Sequence, residues 1–499
     1  MTKAEIFYKD IGDYHSREEK LKIVKEARSI MNPELGMTQI KPNEHGDWIS
    51  MRNSMFDEFI PLESEKKFDN KSKTFFTTYA IGVSTNRDAW VYNFSEDELK
   101  NNMKRMIAFY NEQRKLVEKE RKKNPELNFE DYLDTNPQKM SWTVNLKKDI
   151  ENNIAHKFNE NVLITGLYRP FVQMNLFFDP DFIERPGIWS QLIPTDDGDN
   201  LIICISCVGT NNGLSVLICD KIPNLHFAGD TQCFPLYWYE KKEKVQGSLF
   251  EKNAGEYIRH DAISDFILEQ AKTRYGPKVI KEDIFYYVYG ILHSPDYRKT
   301  FSNDLKKMLP RLPLVEKVAD FWAFSKSGRS LADIHLNYEE QEPPKEVLIN
   351  GKPIMGNGGW WIGDGVSGLG NRRHSSDNDF LSPTPNPYSL SSSNPYSLEK
   401  MSFPSKGKKD TIIYNSYLTI SNIPEKAYEY IVNGKSAIEW VMERYQITTH
   451  KESGIKNDPN DWAKEHENPQ YILDLLLSVI TVSVKTVEIV EGLPKVEWE

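Results

Sequence analysis

The 499-residue sequence predicts an α+β protein in which an antiparallel, β-rich region packs on helices. Between residues 161 and 240, short apolar or alternating segments are separated by Gly, Pro, Asn and Asp, as expected for antiparallel strands. Residues 96–160 and 255–340 place apolar side chains at helical spacing among many charged ones, which is typical of amphipathic helices. A chain of this length exceeds one ordinary core, so we expect two or three domains.

Changes in composition divide the chain into five segments. The first segment contains a strand (AEIFYKDI), a helix capped by Ser16 and further strands after Lys73. Because these elements are too few for a complete α/β core, the segment resembles the tail of one. The predicted segments are this tail (1–95), a helical linker (96–160), a β-rich domain with helical support (161–345), a Gly/Ser/Asn/Pro-rich loop (346–400) and a C-terminal α/β extension (401–499).

Composition and charge set limits on the class of protein. The formal net charge of −10 argues mildly against a general polyanion binder. Local basic patches can still bind DNA, because salt screens exposed charges beyond about 10 Å. The N-terminal sequence has no signal-peptide pattern and no apolar run approaches the length of a membrane span, so we expect a cytoplasmic protein without membrane attachment.

All four cysteines lie in one apolar region, at Cys204, Cys207, Cys219 and Cys233. The first two form a CxxC pair, so a zinc site must be considered. Their surroundings (LIICISCVG) read as a strand, however, and residues three apart on a strand point to opposite faces. Buried free thiols are therefore the favoured interpretation, and no metal site is predicted.

Motifs of self-sufficient catalysis are missing from the sequence. It has no GxxxxGK[ST] loop, no GxSxG, no HExxH and no glycine-rich strand–turn–helix for S-adenosylmethionine. Asp230, Glu240 and Lys242 imitate a nuclease pattern, but the intervening segment is too apolar for an open metal cleft. We predict no catalytic, cofactor-binding or metal-binding residue in this chain.

The most distinctive stretch is DIFYYVYGILHSPDYRKTFSNDLKKMLPRLP, residues 283–313. It predicts an aromatic helix, a Pro turn and a second helix from Asp296 to Leu309, a packing unit with a cationic edge. We expect its aromatic residues to be buried. Lys306, Lys307 and Arg311 are then the candidate phosphate contacts of this stretch, although a plain scaffold would read the same way.

Five stretches of the sequence together resemble the C-terminal half of adenine-specific DNA methyltransferases. They are residues 283–313, GVSTNRDAWVYNF (82–94), LYRPF (167–171), CFPLYWYE (233–240) and SAIEWVMERYQ (436–446). The similarity is to the type ISP restriction–modification enzymes in particular. It implies the end of a methyltransferase core, within residues 1–95, followed by a target-recognition domain. The cofactor loop and NPPY tetrad of that family are absent here, so S-adenosylmethionine is expected on the missing half or on a partner.

The resemblance implies sequence-specific recognition of double-stranded DNA by a specificity module that is not catalytic alone. A protein partner would carry the methyltransferase, helicase and nuclease functions. Candidate DNA contacts fall into two groups, base readers and phosphate contacts. The candidate base readers are Asn211 and Asn212, which lie in the predicted hairpin loop GTNNG and have amides suited to adenine. The candidate phosphate contacts are Arg87, Arg169, Lys306, Lys307 and Arg311.

Two other readings remain open from the sequence. The chain could be a diverged DNA methyltransferase or nuclease whose motifs are no longer recognisable. Alternatively, it could be a defence-related interaction protein that keeps the fold without binding DNA. Turn formation explains Asn211 and Asn212 as well as base reading does. Structural roles are equally open for Arg87 and Arg169, because both lie beside aromatic residues.

Overall fold

The computed structural model describes residues 5–11, 16–44, 46–49, 52–64, 66–194, 200–209, 212–242, 257–351, 355–356, 359–360, 394–496 and 498. The chain separates into two compact units, Met1–Asp57 and Glu58–Glu499. Helices and antiparallel strand pairs are both abundant, and the predicted α+β class is confirmed. Most of the predicted loop at 346–400 lies outside the described residues.

The regular elements have the following bounds. The α-helices are Arg17–Ala27, Ser54–Glu58, Asp88–Val91, Glu96–Lys123, Val144–Glu151, Trp189–Leu192, Asp265–Tyr275, Lys281–Leu292, Pro295–Thr300, Ser302–Leu305, Val318–Leu336, Ala437–Arg444, Pro459–Glu465 and Tyr471–Glu491. The strands are Ile6–Tyr8, Thr38–Ile40, Ile60–Pro61, Ala80–Ile81, Tyr92–Asn93, Leu163–Arg169, Val172–Phe177, Ile202–Ile205, Val216–Cys219, Gln232–Pro235, Tyr237–Lys241, Tyr257–Asp261, Arg311–Leu312, Leu348–Gly351, Met355–Gly356, Gly359–Trp360, Thr411–Ile413, Leu418–Ser421, Ile431–Val432, Lys435–Ser436, Thr448–Thr449 and Lys456–Asn457.

The first unit is small and has little interior. Its strands Ile6–Tyr8 and Thr38–Ile40 pair antiparallel, and its helix Arg17–Ala27 begins with a capping box between Ser16 and Glu19. The predicted strand, helix and cap are confirmed. No residue of this helix is buried, however, so its apolar side chains contribute to an exposed surface.

A four-stranded antiparallel sheet forms the centre of the second unit, in the order Ala80–Ile81, Gln232–Pro235, Ile202–Ile205 and Val216–Cys219. The last three strands are buried at every position, which explains why their residues are apolar apart from Gln232. Cys204 lies opposite Cys233, and its Sγ is 3.4 Å from that of Cys219, all three as buried free thiols.

The helix Glu96–Lys123 confirms the strongest helical prediction in the sequence. Ser95 caps it by accepting a hydrogen bond from the Glu98 backbone. Its buried stripe includes Met103, Met106, Ile107 and Tyr110, as predicted from their spacing. The spacing in the sequence also predicts Leu116 on this stripe, and that prediction is wrong, because Leu116 is exposed and Val117 takes the buried position. Between Lys73 and Ser95, predicted as strands, the chain forms two very short strands separated by the helix Asp88–Val91.

Helices Lys281–Leu292 and Val318–Leu336 pack with almost no space between their backbones. A Cβ atom on Gly328 would lie 1.9 Å from the Tyr286 carbonyl oxygen, and one on Gly290 would lie 2.2 Å from that of Phe324. The apolar C-terminal helix Tyr471–Glu491 packs against the second of these helices. In the described part of the chain, no helix is long and apolar enough to cross a membrane.

The second half of the 283–313 stretch differs from its prediction. The expected helix from Asp296 to Leu309 is two short helices, Pro295–Thr300 and Ser302–Leu305. Phe301 breaks the helix, with φ −101° and ψ 20°, and its ring packs on those of Tyr297 and Phe59. The predicted burial of aromatic residues holds for the first helix except Tyr286, which is only half-buried.

We expect Gly328→Ala to lower the free energy of unfolding by about 3 kcal/mol, because the added methyl group would overlap a carbonyl oxygen in a packed helix pair. Chemical denaturation measures this change. Gly492→Ala is the matched control, since its Cβ would meet its nearest atom at an ordinary 3.5 Å. Equal losses in the two variants would contradict the proposed closeness of the helices.

Candidate functional site

A polar groove lies within the second unit, with a cavity volume of about 560 Å³. Three regions distant in sequence form its main walls: residues 83–92, residues 168–174 together with the turn 224–226, and residues 448–457; Pro137 and Ser141 complete the lining. Its exposed rim carries Asn86, His226, Thr448, Thr449 and His450. Trp90, Tyr92 and Tyr168 are the aromatic residues in its lining.

The 83–92 wall follows a close approach of two backbones. Val83 N–H donates to the Pro223 carbonyl at 2.9 Å, and Leu225 N–H donates to the Val83 carbonyl at 2.8 Å. Gly82 is required at this crossing because a Cβ there would lie 2.6 Å from the Asn224 carbonyl oxygen. Asn86 then takes a φ of +52°, a conformation that Asn adopts more readily than most residues, and turns the chain into the helix Asp88–Val91.

Arg87 lines the groove but is 4% exposed. Its Nη2 donates to Thr143 Oγ1 at 2.6 Å, while Nε and Nη1 have no hydrogen-bond partner. Burial lowers the pKa of the guanidinium to about 10, and the nearby Glu184 carboxylate opposes that shift. The side chain therefore stays charged at neutral pH, held between two parts of the fold.

Arg169 lies behind the same groove. Its Nη1 donates to the Tyr168 carbonyl at 2.6 Å and to Asn224 Oδ1 at 2.8 Å. Its guanidinium lies 4.0 Å from the centre of the Tyr168 ring, and Nη2 is 3.8 Å from Asp88 Oδ2. These contacts favour a structural role, one of the two alternatives left open by the sequence.

The hairpin 448–457 forms the third wall, and sequence reasoning did not predict it as part of a site. Its strands pair through Thr448 with Asn457 and Thr449 with Lys456. Asn457 Oδ1 accepts from the Phe94 backbone at 2.9 Å, which fixes the hairpin beside the first wall. The residues HKESG do indicate a turn, but nothing local in the sequence indicates that this turn packs beside Phe94, more than 350 residues away.

The predicted base reader Asn212 is not among the residues that line this groove. Asn212 lies at the end of the Ile202–Ile205 and Val216–Cys219 hairpin, and its Nδ2 donates to Asn433 Oδ1 at 3.0 Å. Its amide packs on Gly434, where a Cβ would lie 2.7 Å away. Asn211 lies outside the described residues.

The remaining candidates lie on the 283–313 stretch. Lys306 and Lys307 are exposed after the helix Ser302–Leu305. Arg311 is partly buried, and its Nε donates to the Phe59 carbonyl at 2.9 Å beside the strand pair that joins Leu312 to Ile60. The structure therefore places Arg87 in the lining of the groove and Arg169 behind it, but it does not assemble all the candidates into one site.

Carboxylates, histidines and thiols form no metal centre in the part of the chain that the structure describes, although three thiols lie close together in the central sheet. Within it, no group of three or more His, Cys, Asp or Glu side chains could hold a metal ion. Asp230 pairs with His226 at 3.0 Å, and Glu240 pairs with His260 at 3.1 Å. Two residues of the nuclease-like pattern, Asp230 and Glu240, thus contact different histidines.

Comparison with protein families gives a match to the Type ISP C-terminal specificity domain over residues 74–475. The chain belongs to this family. The matched range contains all three walls of the groove and every candidate contact predicted from the sequence. The specificity domain therefore includes both the central sheet and the helices that support it. The resemblance to type ISP enzymes that the sequence indicates is confirmed.

Solved structures agree with this assignment. A nuclease-deletion mutant of the Type ISP restriction–modification enzyme LlaGI, in complex with a DNA substrate mimic, is 34% identical, with a TM-score of 0.75 over 99% of this chain and 39% of that chain. The ATP-dependent Type ISP enzyme LlaBIII bound to DNA is also 34% identical, with a TM-score of 0.77 over 99% of this chain and 28% of that one.

A third structure, the DrdV–DNA complex, is 24% identical with a TM-score of 0.74 over 98% of this chain and 43% of that chain, and it supports the fold alone. The specificity-domain chain thus spans well under half the length of these solved relatives. A comparison with curated proteins gives no significant match.

We expect Arg169→Lys to destabilise the specificity domain by about 1–2 kcal/mol, because an ammonium cannot replace the hydrogen bonds to Tyr168 and Asn224 together. DNA affinity should stay unchanged, since these contacts occupy the guanidinium within the fold. Thermal unfolding and a DNA titration measure the two quantities. Weaker DNA binding without destabilisation would instead assign Arg169 to phosphate, because lysine keeps the charge but not the bidentate hydrogen bonds of arginine.

Proposed function

We propose that this chain is the DNA target-recognition module of a type ISP restriction–modification enzyme. The observation that carries the proposal is the likeness of nearly the whole chain to LlaGI, a 34% identical enzyme whose structure contains a DNA substrate mimic. In this role the module binds double-stranded DNA, with contacts to the phosphates setting its position and contacts to base edges setting the sequence it prefers.

Lys306 and Lys307 are the strongest of the proposed phosphate contacts. Both are exposed at the end of a short helix, whereas the guanidinium groups of Arg87, Arg169 and Arg311 bind within the fold. Their position at the surface lets a phosphate approach the ammonium groups. Asn211 and Asn212 remain proposed base contacts, and Asn212 would have to exchange its bond with Asn433 for one with a base.

Binding of duplex DNA by the full chain across a salt series tests this function. The logarithm of affinity should fall linearly with the logarithm of salt concentration, by about 0.9 per phosphate contact. Lys306→Ala and Lys307→Ala should each reduce the slope by about one such unit and weaken binding to all sequences alike.

Lys464→Ala is the matched control, because Lys464 is an exposed lysine on another short helix, Pro459–Glu465. Its slope should equal that of the unmodified chain. Absence of affinity for duplex DNA, or an affinity independent of salt, would contradict the proposed function.

We further propose that the first unit contacts a partner protein in the cytoplasm. This partner supplies the methyltransferase chemistry and binds S-adenosylmethionine. Residues 1–73 precede the matched specificity domain, and this chain spans only 39% of LlaGI. On the helix Arg17–Ala27, Leu21 is 58% exposed and Val24 is 67% exposed. Apolar side chains presented on a helix without a buried face are typical of a surface that another protein covers.

Co-expression with the part of LlaGI that this chain does not match tests the proposed partner. Val24→Glu should reduce co-purification of the two chains at least tenfold, because it places a charge on the apolar surface. Val318→Glu is the control, as its side chain is similarly exposed on the second unit. Undiminished co-purification of Val24→Glu would overturn the proposed contact, and it would leave the DNA proposal intact.

A further inference from the structure

Two hairpin turns whose asparagines are 221 residues apart in sequence meet at one end of the central sheet. Asn212 lies in the turn after the strand Ile202–Ile205, and Asn433 lies in the turn after the strand Ile431–Val432. The amide nitrogen Nδ2 of Asn212 donates to Asn433 Oδ1 at 3.0 Å and to the Asn433 backbone carbonyl at 3.3 Å. The two turns therefore form one continuous surface.

The second turn has a fixed backbone. Asn433 has a φ of +47° and Gly434 a φ of +80°, and Val432 pairs with Lys435 on either side of them. Positive φ at both central residues is typical of the tight two-residue turns that connect antiparallel strands. The Asn433 backbone N–H also donates to Ser215 Oγ at 2.8 Å, which ties this turn to the other hairpin. Asn433 is thus held in place before any ligand binds.

Each of the two amides lies flat against a glycine. A Cβ atom on Gly434 would lie 2.7, 2.8 and 3.0 Å from Cγ, Oδ1 and Nδ2 of Asn212. A Cβ atom on Gly229 would lie 3.0–3.2 Å from the same three atoms of Asn433. Because the three distances are nearly equal in each case, the glycine covers a face of the amide. The edges of the amides, which carry the hydrogen-bonding atoms, are left for contacts with each other and with a ligand.

Asn433 decides which end of the Asn212 amide remains available. It offers Asn212 two acceptors, and one of them is a backbone carbonyl, which cannot donate. A half-turn of the Asn212 amide would place its oxygen against that carbonyl, so the nitrogen end faces Asn433. Asn212 itself is exposed, and no donor among the described residues reaches its Oδ1. The free end of this amide is therefore a hydrogen-bond acceptor.

An acceptor at this position selects a particular group on a base. In the major groove of DNA, adenine presents its N6 amino group and cytosine its N4 amino group, whereas thymine O4 and guanine O6 are acceptors. A contact that uses both ends of the amide would require Asn212 to give up its bond with Asn433. A contact through Oδ1 alone does not require that exchange.

We infer that Asn433 is a positioning residue for base recognition. It holds the Asn212 amide so that Oδ1 accepts a hydrogen bond from the amino group of adenine or cytosine in the major groove. The 432–435 turn thereby acts with the turn of Asn212 as one recognition element. This inference rests on the proposed function, that the full chain binds duplex DNA.

Selection from a randomised duplex library by the full chain first gives its preferred sequence. Asn212→Ala should lose the preference at one base pair, where the lost contact reduces discrimination by about fivefold or more, and keep it at the other positions. The affected pair contains one base with a major-groove amino group, adenine or cytosine, and this base is the predicted contact.

Base analogues at that pair then identify the atom that the unmodified chain contacts. Nebularine in place of adenine, or 2-pyrimidinone in place of cytosine, removes the amino group and should weaken binding about fivefold or more. The 7-deaza analogue of the purine in the pair removes the N7 acceptor and should change affinity by less than about twofold, because Nδ2 stays on Asn433. These measurements use the unmodified chain, so they do not depend on whether a variant folds.

Variants of Asn433 test its positioning role. Asn433→Gly tolerates the positive φ but removes Oδ1, so the Asn212 amide can turn and the cost of removing the amino group should fall. Asn433→Asp keeps an acceptor for Nδ2 and should preserve that cost, while its added charge weakens binding to all sequences alike. Asn422→Gly is the matched control, an exposed Asn with a φ of +66° whose Nδ2 donates to the Glu346 carbonyl at 2.9 Å. It should bind like the unmodified chain.

Three results would each overturn the inference: no change of preference in Asn212→Ala, equal losses on removing the amino group and N7, or identical behaviour of Asn433→Gly and Asn422→Gly. In all three the unmodified chain still binds duplex DNA with a sequence preference, so the proposed function stands. Absence of duplex binding by the unmodified chain would contradict the proposed function itself.

Discussion

The arrangement of the candidate site depends on how residues 82–94 are held by the rest of the chain. Val83 exchanges backbone hydrogen bonds with the 223–225 turn, and Arg87 reaches Thr143 at the start of another helix. At the far end, Phe94 N–H donates to Asn457 in the C-terminal hairpin. Because one short segment contacts three separate regions, its conformation fixes the positions of all the groove walls.

The elements predicted best from the sequence are those whose signals are local. The helix Glu96–Lys123 combines a Ser cap, an acidic first turn and a regular apolar stripe, and it lies at the start of the helical segment predicted for residues 96–160. The buried strands Ile202–Ile205 and Val216–Cys219 were recognisable from apolar runs separated by a turn. These features depend on neighbouring residues alone, so one sequence is sufficient to find them.

The prediction of the site was less complete because its geometry depends on contacts distant in sequence. Lys306 and Lys307 were expected on a continuous helix, which the packing of Phe301 interrupts. Arg87 and Arg169 were predicted as phosphate contacts, with a structural role left open, and the structure shows that both guanidinium groups donate hydrogen bonds within the fold. Charge alone cannot distinguish an arginine that binds its own protein from one available to DNA.

The long-range contacts between the groove walls also affect the order in which parts of the protein fold. The hydrogen bond from Phe94 to Asn457 joins residues 363 positions apart, and the strand pair of Ile60 with Leu312 spans another long interval. Contacts of such high sequence separation form late and slowly, after a large loss of chain entropy. The groove can therefore exist only after the ribosome has released nearly the whole chain, and C-terminal truncations should lose it first.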